Sequence, residues 1–133
     1  MPVSRAQAQT PWFIKNVVNP VFTFTGALPV IAVRGRRTGR VYRTPINLLD
    51  VEGVPYLLSP RGETGWSRNL RVVGEVSVKQ KGVERRYRAT EVPVEERPRL
   101  IAAYLERWGK QTRGQFEKLP DPADHPAFKL EPL

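Results

Sequence analysis

The chain has no cysteine, one histidine and one methionine among its 133 residues. Without thiols there is no disulfide framework and no cysteine-built metal site. Acidic residues are also scarce, 13 against 22 basic ones. No paired carboxylates, Ser/His/Asp set or metal-ligand cluster can be picked out. Long apolar runs are missing too, and those present fall far short of the roughly 20 residues a membrane span needs. No basic segment followed by an apolar stretch and a cleavage site opens the chain, so no secretion signal is expected. These absences predict a cytoplasmic protein.

What is present supports a packed core. Hydrophobic residues make up 40% of the chain and charged ones 26%, and the length suits one domain. The formal net charge is +9, a field that favours nucleic acid, acidic lipid or a small ligand with several negative charges. Five arginines lie between Arg34 and Arg43. A second group (Lys79, Lys81, Arg85, Arg86, Arg88) reads as solvated charge on strand edges.

From Trp12 to Phe24 the apolar positions loosely follow a helical period broken at Pro20, which predicts an amphipathic N-terminal helix. Its expected role is packing onto the domain, with contact at a membrane surface as the alternative. Short apolar runs follow at Leu28–Val33, Val41–Val51 and Val54–Ser59, punctuated by Gly35, Gly39 and the turn Asp50–Gly53. Val72–Lys79 and Val83–Val92 read as a hairpin. Between them and Ser59 lies a glycine-rich loop that runs into a short helix. Glu95–Trp108 is the clearest helix, with Gly109 at its expected end, and Ala127–Leu130 reads as a last short strand. The pattern predicts a mainly β protein with flanking helices (α+β), a small barrel; a four-stranded open sheet is the competitor. The expected layout is one domain over 1–133, with a helix in 1–25, a barrel core at 28–92, a helix at 94–109 and a tail at 110–133.

Two segments could carry chemistry. In the first, Gly35-Arg36-Arg37-Thr38-Gly39 joins two strands, and Arg43-Thr44-Pro45 follows. Its glycines allow a tight turn and close approach, its guanidiniums can fork onto phosphate or carboxylate, and Thr38 and Thr44 add hydroxyls. The second runs from Ser59-Pro60-Arg61-Gly62 into Trp66-Ser67-Arg68-Asn69-Leu70. The start of that helix offers unpaired N–H donors to an anion or an electron-rich ring. Leu70 is expected in the core, while Trp66 suits either core or ligand.

In order and spacing, these segments resemble the deazaflavin (coenzyme F420)-dependent nitroreductase family of the FMN-binding-like split β-barrels. The likeness spans about residues 28 to 105. It implies a split barrel with a coenzyme in a groove beside it. Arg36, Arg37, Thr38 and Gly39 would face the phosphate and acidic tail, with Arg43, Thr44 and Pro45 along the groove. Ser59, Arg61 and Gly62 would touch phosphate or ring, and Trp66 and Asn69 would approach the ring. It also implies hydride transfer to a small-molecule substrate such as a quinone, an activated alkene or a nitro compound. Departures at Val41-Tyr42 and around Arg61 leave the phosphate donors open. Split barrels commonly pair, so a homodimer is in view.

Hydride transfer by a deazaflavin requires the protein only to bind, orient and exclude water. A proton must come from water or a side chain; Tyr42, Tyr56 and Tyr104 are the phenol candidates, although each suits a structural role. His125, in the proline-rich tail, is expected to be an exposed bystander. Two other readings remain: an FMN- or haem-binding barrel or non-catalytic carrier, and a nucleic-acid binder. The second is disfavoured because only Tyr42 and Tyr87 interleave with basic strand residues.

Overall fold

The computed structural model describes residues 28–133. The predicted helix at Trp12–Phe24 lies outside them. Seven strands form one antiparallel sheet: β1 (Val30–Arg34), β2 (Val41–Pro45), β3 (Leu49–Val51), β4 (Val54–Leu58), β5 (Glu75–Gln80), β6 (Val83–Glu91) and β7 (Ala127–Pro132). Their order is β2-β1-β5-β6-β7-β4-β3, curled into a split barrel. Among the described residues two α-helices accompany it, α1 (Gly65–Val73) and α2 (Arg97–Lys118).

Period-2 alternation explains how the sheet is filled. Ile31 and Val33 of β1 point inward and are almost fully buried, while Arg34 points out. Opposite them, Val76 and Val78 of β5 do the same. With Leu57, Leu70, Phe128 and Leu130 they form the barrel core, each large side chain contributing roughly 1.5–3 kcal/mol by leaving water. The alternation reverses face at the other end of the sheet. Tyr56 and Leu58 flank Leu57 on β4 but join Leu49, Leu100, Tyr104 and Phe116 in a second cluster under α2. This end of the sheet is therefore covered on both sides, which is why β4 reads as a continuous apolar run.

Several elements depart from the sequence reading. The single run Val41–Val51 divides into β2 and β3, with the break after Pro45, which has no N–H for a ladder. Val72 belongs to the last turn of α1, not to a strand; Gly74, at φ 78°, caps that helix and donates its N–H to Leu70. α2 does not stop at Gly109. The backbone kinks at Trp108 (φ −128°, ψ 24°), the Thr112 hydroxyl donates to the Trp108 carbonyl (2.8 Å), and the helix continues to Lys118. The last strand read at Ala127–Leu130 forms as β7, extends to Pro132, and lies between β6 and β4, inside the sheet. His125, expected at the surface, is fully buried. The insertion of β7 into the sheet draws it inward, where it stacks near Phe116 (4.5 Å between centroids).

Candidate functional site

The turn between β1 and β2 is closed by its own backbone. The Gly35 N–H donates to the Arg40 carbonyl (2.7 Å), and the Gly39 N–H donates to the Gly35 carbonyl (3.1 Å). Gly39 sits at φ 76°, a left-handed conformation that strains other residues. Gly35 is required for a different reason: a Cβ there would lie 2.8 Å from the Tyr42 ring. Arg36, Arg37 and Thr38 stand exposed at the tip.

Facing this turn is the start of α1. Thr64 caps it, accepting from the Ser67 N–H, while the Ser67 hydroxyl accepts from the Thr64 N–H (2.9 Å) and donates to Glu63 (2.6 Å). Arg71, in the last turn, clasps Glu63 (3.0 Å) and Glu91 of β6 (2.8 Å), and Glu91 also meets Arg97 (3.2 Å). Burial opposes ionisation of Glu63, but hydrogen bonds from Arg71 and Ser67 outweigh it and hold its carboxyl below the usual range. The Arg71 hydrogen bond holds Glu91 low as well. Leu70 anchors α1 in the core, and half-buried Trp66 leans on Phe128 (6.0 Å).

Between turn and helix opens a cleft of about 440 Å³, lined by Gly35, Arg36, Arg37, Thr38, Tyr42, Thr44, Gly65, Trp66 and Asn69. The turn and β2 bring guanidinium groups, hydroxyls and the Tyr42 ring, α1 brings Trp66 and Asn69, and no carboxylate lines it. Among the described residues Arg36, Arg37 and Arg40 take part in no ion pair. Their charge is thus uncompensated. Gly65 and Trp66 bring the positive end of α1 to the same cleft.

A family model for F420H(2)-dependent quinone reductase matches residues 6–117. The chain belongs to that family. It is accordingly an oxidoreductase, and its coenzyme is the deazaflavin F420. Solved structures share the fold at low identity. A protein of unknown function from Agrobacterium tumefaciens aligns at TM-score 0.64 and 22% identity, over 79% of this chain and 48% of its own, so the chain spans about half its length. The haem storage protein HutZ from Vibrio cholerae aligns at 0.63 and 18%, over 86% and 89%. An F420-H2 dependent reductase (FDR-A) aligns at 0.60 and 18%, over 78% and 93%. No curated protein matches.

For this F420H(2)-dependent quinone reductase family member, the cleft gathers only part of the predicted set. Arg36, Arg37, Thr38, Thr44, Trp66 and Asn69 line it together with Tyr42. Gly39 shapes the turn beside it and takes a hydrogen bond from Arg34 on its carbonyl (3.1 Å). Arg43 and Pro45 point from the opposite face of β2, where Arg43 approaches Glu84 (3.9 Å). Ser59, Arg61 and Gly62 are not at the cleft either. Buried Ser59 bonds the Gly62 carbonyl through its hydroxyl, and its own carbonyl meets His125 Nδ1 (2.9 Å). Gly62, at φ 92°, packs against Leu119 and Asp124, while Arg61 is exposed. Of the tyrosines, Tyr56 lies under α2 and Tyr104 stands on the buried face of that helix, both in the second core cluster. Tyr56 bonds Arg99 (3.3 Å), and Tyr104 accepts from Asn47 (3.0 Å). Burial pushes the Tyr104 phenol up.

Sequence reasoning missed two features of the site. Gly65 lines the cleft, and Arg71 ties α1 to β6. The partners of Arg71 are 8 and 20 residues away, so no local spacing signals them. The Thr64-x-x-Ser67 cap was the available local cue.

Proposed function

We propose that the cleft between the Gly35–Arg40 turn and α1 holds coenzyme F420, and that the protein reduces a small organic acceptor: a quinone, an activated alkene or a nitro compound. When bound in its reduced form, the deazaflavin supplies a hydride from its ring carbon. The observation that carries this reading is the meeting of uncompensated arginines with aromatic rings in one cleft free of carboxylates. Its volume falls in the roughly 300–1,000 Å³ range of small-molecule sites.

In this reading Arg36, Arg37 and Thr38 bind the anionic part of the coenzyme, while Trp66 and Tyr42 flank its planar ring. Thr44 offers a hydroxyl on the cleft floor. Tyr42 is the tyrosine candidate that lines the cleft, and it is 44% exposed. It or water supplies the proton. A homodimer accords with the exposed residues of β2, β5 and β6 among the described residues and is tested by sedimentation.

The test is a fluorescence titration with coenzyme F420, with FMN as competitor. Micromolar binding of F420 is expected. Binding of FMN instead would reject the reading. Arg37→Ala should weaken F420 binding by about 1.5–3 kcal/mol, the value of a charged hydrogen bond; unchanged affinity would remove Arg37 from the site.

A further inference from the structure

We propose that Asn69 is a positioning residue, a neutral latch that orients Arg36 for an anion without discharging it. The inference rests on the reading of the cleft as the coenzyme site.

Asn69 is 8% exposed, and its side-chain Oδ1 accepts two hydrogen bonds from one residue, the Arg36 backbone N–H (3.1 Å) and Arg36 Nη1 (2.7 Å). The two donors settle the amide orientation, because an NH2 group in that place would face N–H groups only. One oxygen thus fixes both the backbone of the basic turn and the direction of its guanidinium, across 33 residues of sequence.

The platform beneath it is rigid for reasons unrelated to any ligand. α1 is capped at both ends, and Leu70, adjacent to Asn69, is fully buried. The position of Oδ1 is therefore set by the core. Holding a long side chain in place before binding removes an ordering cost worth roughly two- to tenfold in affinity.

The chemistry of the latch separates Arg36 from the carboxylate-tethered arginines. Arg71, Arg86 and Arg97 are held by Glu63, Glu75 or Glu91, and in each case the carboxylate offsets the positive charge. Arg36 is held by an uncharged amide. Its full charge and its other N–H groups stay available to a phosphate or carboxylate. A carboxylate at position 69 would orient the guanidinium equally well but would compete with the ligand for it.

Asn69→Leu and Asn69→Asp separate these contributions. The first readout is exchange of the Arg36 amide hydrogen in the ligand-free protein; the second is F420 affinity by fluorescence. In Asn69→Leu the amide should exchange about tenfold faster and the affinity should fall about tenfold. In Asn69→Asp the amide should stay protected while the affinity still falls by about tenfold or more. Adding Asn69→Leu to Arg36→Gln should cost less than it does in the native background.

The latch is overturned if the Arg36 amide exchanges alike in Asn69→Leu and the native protein, or if Asn69→Asp binds F420 as the native protein does. It is equally overturned if affinity drops in Asn69→Leu with the amide still protected, since Asn69 would then act on the ligand directly. Should Asn69→Leu not fold, the Asn69→Asp arm decides by the same two readouts. A native protein that binds no F420 would sink the proposed function, leaving the amide-exchange arm to judge the latch on its own.

Discussion

Replacing His125 by alanine should be among the costliest single changes in the described part of the chain. The imidazole is fully buried, and its two ring nitrogens meet the carbonyls of Ser59 (2.9 Å) and Leu119 (2.6 Å). In either tautomer one N–H donates. The ring thus ties the end of α2 and the entry to β7 to the loop after β4, 66 residues earlier in the chain. Truncation removes the donor from a buried acceptor, costing about 1–3 kcal/mol, and opens a cavity beside Phe116 in a class of change worth about 2–5 kcal/mol. Partial collapse makes the sum smaller than the parts, so about 3–5 kcal/mol is expected. For a chain of this size that corresponds to a melting point lower by about 10–20 °C. Thermal unfolding followed by circular dichroism measures it. A drop under about 3 °C would mean that His125 does not clamp these segments.

Gly35→Ala should move the Tyr42 ring, because the new Cβ would sit 2.8 Å from it and 3.1 Å from the Thr38 hydroxyl. Weaker F420 binding with about 1–3 kcal/mol lost in stability is expected; a native-like titration and melt would show that the ring yields freely. A pH dependence follows from Glu63 and Glu91. Both titrate lower folded than unfolded, so their stabilisation is complete above the unfolded value of about 4.3 and is lost as pH falls through the lower folded values. Partial exposure limits each to about 1 kcal/mol or less. Arg71→Met should flatten this acid dependence of the urea midpoint, and an unchanged slope between pH 7 and 3 would rule the clasp out.

The sites of agreement with the sequence are local in origin. The apolar run of β1, the β5–β6 hairpin and the Gly35–Gly39 turn could be read because each depends on residues within a few positions. Leu70 could be placed in the core for the same reason. The errors share an opposite cause. Ser59, Arg61 and Gly62 are near Trp66 in sequence, yet the chain turns at Gly62, so that Ser59 and Gly62 pack by His125, Leu119 and Asp124 and Arg61 stands exposed, none of them lining the cleft. Gly109 resembles a helix end, but packing of Tyr104 against Trp108 and Phe116 carries α2 past it with a kink.

The amino-acid order by itself determined the strand periodicity, the glycine-bounded basic turn and the positive charge, since these follow from backbone geometry and side-chain chemistry over short stretches. Tertiary structure alone decided which charges remain uncompensated. Arg71 and Arg97 are matched by carboxylates that folding brings to them, whereas Arg36 meets a neutral amide. The reason is physical: pairing energy falls off within a few ångströms, and only the folded chain sets distances between residues tens of positions apart.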